Sequence, residues 1–145
     1  MKSVFKAATL ILIFLLSVNC FSQEEEGKSV PFAVLEEIPM FPNCNDIPKS
    51  EEKNCFMQEM NNHIKLNFKY PKRAVRNNIQ GRVTVRFLIN HEGYVVISKT
   101  IASEGCELLS EEAERIINLL PRFKPGMQKG NPVGVFYAQP IVFKL

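Results

Sequence analysis

From Arg82 to Ile89 the chain alternates. Val83, Val85, Phe87 and Ile89 are apolar, and Arg82, Thr84 and Arg86 between them are polar. A period of two predicts a half-buried strand, since successive side chains leave a strand on opposite faces. Asn90-His91-Glu92-Gly93 follows as a hairpin loop, with glycine available for positive φ. Tyr94–Ile101 is rich in β-branched residues and predicts the return strand.

Helices flank this hairpin. Ser50 is a good N-cap, and Glu51 and Glu52 suit a first helical turn. Phe56, Met60 and Ile64 then recur at every fourth position, with Met57 and Phe68 beside the stripe. Tyr70-Pro71 ends that run, and Pro71 to about Asn77 reads as a short second helix with Ala74 inward. After the loop at Ser103–Cys106 a further helix runs from Leu108 or Ser110 to Leu120. Leu109, Ala113, Ile116 or Ile117, and Leu120 form its apolar stripe. Glu111, Glu112 and Glu114 are expected to be solvated near its positive end. Gly81 marks one turn, and Pro121–Pro132 forms a rigid connection. Val133–Leu145 predicts the last strand. Pro140 interrupts it and cannot donate to a ladder, which assigns the strand to an edge or a bulge. The order helix, helix, strand, strand, helix, strand predicts an α+β domain: a three-stranded antiparallel sheet with helices on one face.

The N-terminus carries a different signal. Lys2 and Lys6 precede an apolar run of about ten residues, and small and polar residues follow at Ser17–Ser22. This predicts a secretory signal peptide over residues 1–22, with Gln23 first in the mature chain and a place of work outside the cytoplasm. The alternatives are an uncleaved inner-membrane anchor and a lipoprotein acylated at Cys20. The run falls short of the ~20 residues a spanning helix needs, and Asn19 fits poorly before an acylated cysteine. Residues 23–49 read as an extended acidic leader in which Pro31, Pro39, Pro42 and Pro48 bar a helix. Val34-Leu35 and Ile38–Phe41 could pack as an arm on the domain, assigned to residues 50–145.

Charge is segregated. From Gln23 to Asn62 three lysines face nine acids, and from His63 to Leu145 thirteen basic residues face six acids. The plain account is a solvated basic face offset by the acidic segment of the same chain; a field drawing an opposite partner is the sharper one. Export makes nucleic acid an unsuitable partner. No catalytic residue, metal site or cofactor is predicted: His63 and His91 lack neighbours at metal-ligand spacing, and no nucleophile elbow, P-loop or dinucleotide fingerprint occurs. Cys44 and Cys55 flank a ten-residue turn. In an oxidising compartment they are expected to form a disulfide that pins the leader to the first helix, leaving Cys106 unpaired.

The second half resembles a known family. Tyr70-Pro71-x-x-Ala74, Ile79-Gln80-Gly81-x-Val83-x-Val85-x-Phe87, Glu92-Gly93 and Leu109-Ser110-Glu111-Glu112-Ala113 stand in order. Pro121-x-Phe123-x-Pro125-Gly126, Gly130-x-Pro132-Val133 and Pro140-Ile141-x-Phe143 complete the series. Together they resemble the TonB C-terminal domain over about residues 67–145. Val30-Pro31-Phe32 and Phe41-Pro42-x-Cys44 look like the leader of TonB-like proteins of the Bacteroidetes.

The resemblance implies a non-enzymatic periplasmic domain in energy-coupled transport. Its partner would be the TonB box of an outer-membrane TonB-dependent receptor, which adds as a strand beside the last strand; unpaired edge groups are the template for such an addition. Val133, Val135, Phe136, Tyr137 and Gln139 would supply that edge, and Tyr70, Pro71 and Arg73 would lie near the bound segment. The family also works with inner-membrane proton-motor proteins. The sequence departs from the family's pattern at Val75, where a box-contacting Gln is frequent, and at Phe123, where Trp is usual. Cys20 to Lys65 spans at most ~150 Å even fully extended, which bears on direct motor coupling. Two further readings stand beside this one: a secreted adaptor of the same fold binding another envelope protein, and a weak homodimer formed by free sheet edges.

Overall fold

The computed structural model describes residues 29–145. The expected signal peptide, Cys20 and the acid run Glu24–Glu26 lie outside the described residues.

Eight main elements follow in chain order: β1 (Ser29–Pro31), α1 (Lys49–Asn67), α2 (Lys72–Arg76), β2 (Gly81–Ile89), β3 (Val95–Ala102), α3 (Ser110–Asn118), β4 (Gly126–Gln128) and β5 (Asn131–Phe143). The fold is α+β. The three long strands are antiparallel in the order β5-β2-β3. Two short strands extend the expected three: β4 pairs with the start of β5, and β1 pairs with β5 in parallel.

The alternation read from Val83 to Ile89 places all four apolar residues in the core, each fully buried. The hairpin turns at Gly93, whose φ is +88°. A side chain there would collide with the Phe123 carbonyl, and the Phe123 N–H donates to the Gly93 carbonyl at 2.9 Å. The hairpin tip thus holds Phe123 in the core. Phe56 and Met60 of α1, Ala74 of α2, and Leu109, Ala113, Ile116 and Ile117 at α3 cover the same sheet face.

The leader is part of this core. Pro39, Met40 and Phe41 are buried, and Met40 exchanges backbone hydrogen bonds with Lys124. The Phe41 ring lies 5.4 Å from Phe56 and 4.6 Å from Phe123. Cys44 and Cys55 are bonded, tying the leader to α1, and Cys106 is free and buried. Val34 remains largely exposed, so the arm packs through Ile38–Phe41 rather than Val34-Leu35.

Three local expectations need correction. The first helix begins at Lys49 with Pro48 in the N-cap position, and Ser50 sits inside the first turn without capping it. Proline has the non-helical ψ of 141° that the position demands, one residue before helical geometry sets in. The short helix likewise has Pro71 as its N-cap, outside the first turn. Glu112 is buried rather than solvated. Its carboxylate accepts the Lys69 N–H at 2.7 Å and pairs with Arg115 at 2.7 Å. Arg115 also donates to the Asn67 carbonyl. This clip fastens the α1–α2 connection onto α3.

Candidate partner-binding site at the rim of the last strand

One side of β5 is paired with β2 from Val135 to Phe143. On the other side β1 pairs with Gly134, Val135 and Phe136, so Val135 and Phe136 have strand partners on both sides. Val133 is paired with Gly126 of β4. Beyond Phe136, no described strand lies on that outer side. The open rim is therefore Tyr137–Phe143, displaced toward the C-terminus from the expected Val133–Gln139.

The chain leaves the rim at Phe32, and the reason is aromatic packing. The Phe32 ring sits 4.9 Å from Phe56 and 5.0 Å from Tyr137 in an edge-on arrangement. Tyr137 is half-buried among these rings, also 5.7 Å from Phe87, and its hydroxyl donates to the Met57 sulfur at 3.7 Å. Burial pushes its phenol above the ordinary value.

Past Tyr137 the rim faces a groove of about 350 Å³ lined by Gln139–Val142 on one side and Asn61, Ile64, Lys65 and Phe68 of α1 and its C-cap on the other. Gln139 is buried on the core-facing side, and its amide donates to the Pro140 carbonyl at 2.9 Å. A proline weakens a sheet least when its missing N–H lies on the unpaired side. The Gln139 bond fits a Pro140 carbonyl on that same side, where no strand serves it. The rim thus carries one placeholder hydrogen bond made by its own side chain.

The remaining expected residues lie at the far end of β5. Tyr70 packs 5.8 Å from Phe143 and 6.1 Å from Phe68, and its hydroxyl donates to the Ile79 carbonyl at 2.7 Å. Phe68 in turn lies 5.1 Å from Phe143. Tyr70 therefore packs behind the groove wall, and neither it nor Pro71 lines the groove. Arg73 is exposed on α2. The clip of Glu112 and Arg115 braces the same corner through Asn67 and Lys69. Burial opposes the Glu112 charge, but its hydrogen bonds from Arg115 and Lys69 and their positive charges prevail, holding the carboxyl below its ordinary range.

The α1 wall was not read as part of a site from sequence. Ile64 and Phe68 were legible as core stripe. Asn61 and Lys65 are ordinary helix-surface residues, and only the placement of α1 beside β5 makes them neighbours of the rim.

Among the described residues no helix is long and apolar enough to cross a membrane, and no group of His, Cys, Asp and Glu could hold a metal.

The sequence profile described as Gram-negative bacterial TonB protein C-terminal matches residues 67–145. The solution structure of the Helicobacter pylori TonB C-terminal domain is similar at 23% identity and a TM-score of 0.45, over 71% of this chain and 89% of that one. No curated protein matches the chain. The matched segment contains the whole hairpin, α3 and the rim strand. The family is periplasmic, acts in energy-coupled transport and works with outer-membrane receptors. The chain belongs to the TonB C-terminal family.

Proposed function

We propose that this chain is an exported periplasmic domain that binds the TonB box of an outer-membrane receptor as a strand added along Tyr137–Phe143. The observation that carries the reading is the unpaired outer side of β5 beyond Phe136, flanked by the α1 groove. An extended peptide gains affinity there from main-chain hydrogen bonds and selectivity from alternate side chains. One set of its side chains would enter the groove against Ile64 and Phe68. Gln139 would release the Pro140 carbonyl to the guest.

Arg73 and Tyr70 lie near the end of the added strand in this reading. Lys65 gives the groove a positive charge at its α1 wall. Val135 and Phe136 take part only where β1 is displaced.

The test is binding of plug-segment peptides from the receptors of the producing cell, measured by calorimetry. Ala138→Pro removes a main-chain donor at a position of the rim strand that alternates with Pro140. It is expected to weaken binding about tenfold, the equivalent of one hydrogen bond, while circular dichroism shows the fold retained. Unchanged affinity in the folded variant, or no peptide bound by the parent, would overturn strand addition at this rim.

A further inference from the structure

An open strand edge has a weakness as a docking place: by itself it does not fix where a guest begins. Shifting a paired strand by one residue turns every side chain to the other face, and a shift by two restores the faces and only trades hydrogen bonds. The outward main-chain groups of β5 belong to alternate residues. β1 takes Gly134 and Phe136: Val30 stands opposite Val135 in a parallel pair, so its groups reach the two flanking residues, and Pro31 has no N–H to give. Ala138, Pro140 and Val142 continue the same row in the open. Ala138 and Val142 each offer a donor and an acceptor, and Pro140 an acceptor alone.

The two ends of the open row differ. At Phe143 the strand itself ends. At Tyr137 the strand continues backward, but the place beside it is taken. The Phe32 ring lies 5.0 Å from Tyr137 and 4.9 Å from Phe56, at the boundary between covered and open residues.

That ring is held stiffly. Behind it the leader is fastened to the β4–β5 hairpin, which carries the rim. The Glu36 carboxylate accepts the Lys129 N–H at 2.7 Å, and the Glu36 N–H donates to the Gln128 side chain at 3.2 Å. Glu37 and Met127 exchange backbone hydrogen bonds at 3.2 and 2.9 Å, and Met40 and Lys124 exchange another pair. The Cys44–Cys55 bond follows. A guest sliding along β5 toward Gly134 therefore meets a ring tied to the sheet, and peeling away Ser29–Pro31 alone does not clear it.

We propose that Phe32 is a register stop for strand addition. A guest is seated with one end against this ring and runs from there to Phe143. Its side chains are thereby assigned, one by one, to the α1 groove or to the opposite face. A slip of one residue would turn the wrong set toward Ile64 and Phe68. Guests are then told apart by the distance of their apolar residues from the seated end, and guest residues beyond Tyr137 add no ladder. The stop rests on the strand-addition reading and adds to it a limit on length and a fixed starting point.

The test is calorimetry with receptor plug peptides of the producing cell, graded in length. On the parent, affinity should reach a plateau at about seven residues, the length of Tyr137–Phe143. On Phe32→Ala, two threonines added at one end of the plateau peptide should tighten binding about fivefold, the equivalent of one further hydrogen bond. The same addition at the other end should change nothing. Phe32→Leu, which restores the bulk, should abolish the gain. A loss of stability alone would not make affinity depend on which end is lengthened. A second measurement needs no variant. With the parent, a nitroxide on one peptide end should broaden the amides around Val30 and Phe136, and on the other end those around Phe143. Broadening of both sets by each label would mean several registers and would overturn the stop. So would a parent affinity that keeps rising past the rim length, or a Phe32→Ala variant that gains at both ends or at neither. A folded parent that binds no peptide removes the strand-addition reading itself, and the stop with it.

Discussion

The outer side of β5 falls into two stretches that the chain treats differently. Gly134–Phe136 is covered by the chain's own β1, and Tyr137–Phe143 is left open. The covered stretch is held by a leader that is anchored downstream at Phe32, at the Glu37–Met127 bridge, at Met40-Phe41 and at the Cys44–Cys55 bond. The open stretch has one internal hydrogen bond, from Gln139 to Pro140, and no strand. An edge that a protein intends to hide is covered or blunted along its length. Here the cover stops where Phe32 turns inward onto Phe56 and Tyr137. The same aromatic cluster therefore ends the covered stretch and starts the open one.

Breaking the anchor shared by both stretches has the largest effect. Phe56 touches Phe32, Phe41, Phe123 and Tyr137 and is fully buried. Phe56→Ala is expected to cost about 3–5 kcal/mol in urea unfolding, from lost burial and the cavity left behind. Reducing the disulfide, or Cys44→Ser with Cys55→Ser, should cost about 2–3 kcal/mol. It should also speed hydrogen exchange at Met40 more than at Val85, because the leader loosens before the sheet does. Phe32→Ala removes a half-buried ring and should cost about 2 kcal/mol. Its sharper signature is exchange at Val30, which should lose protection while the β2–β5 amides keep theirs. The open stretch would then extend back toward Gly134.

The smallest effect concerns the corner behind the groove. Glu112→Gln should cost about 1–2 kcal/mol, since a charged hydrogen bond is lost beside a partly exposed Arg115. The folded state holds the Glu112 carboxyl below its ordinary range, so its contribution is complete above the unfolded value, near 4.3. It is lost as pH falls through the lower folded value. Unfolding of the parent followed from pH 7 down to about pH 3 should therefore show a loss of stability below about pH 4, and in Glu112→Gln that acid loss should be smaller.

Much of this is legible in the amino-acid sequence. Period-two alternation located β2 and its buried residues. Period-four spacing located the Phe56–Met60 stripe, since both patterns record which face meets the core. Cys44 and Cys55 were close enough in sequence for their bond to be foreseen. β1 was not foreseen. Three residues that include Pro31 carry no alternation, and their partner lies more than a hundred positions away. The open rim starts at Tyr137 rather than at the expected Val133 for the same reason, because an edge is defined by what does not pair with it. Glu112 read as a solvated acid in a first helical turn. Its burial depends on Lys69 and Asn67, which arrive from another helix.

The central claim is that a guest strand pairs with Tyr137–Phe143. The most direct measurement follows the β5 amides by hydrogen exchange and chemical shift while a receptor plug peptide is added. Protection should rise at Ala138 and Val142, which alternate with Pro140 along the rim, and stay unchanged on β3. Binding that leaves Ala138 and Val142 as they were, and instead perturbs β3 or the helices alone, would contradict it.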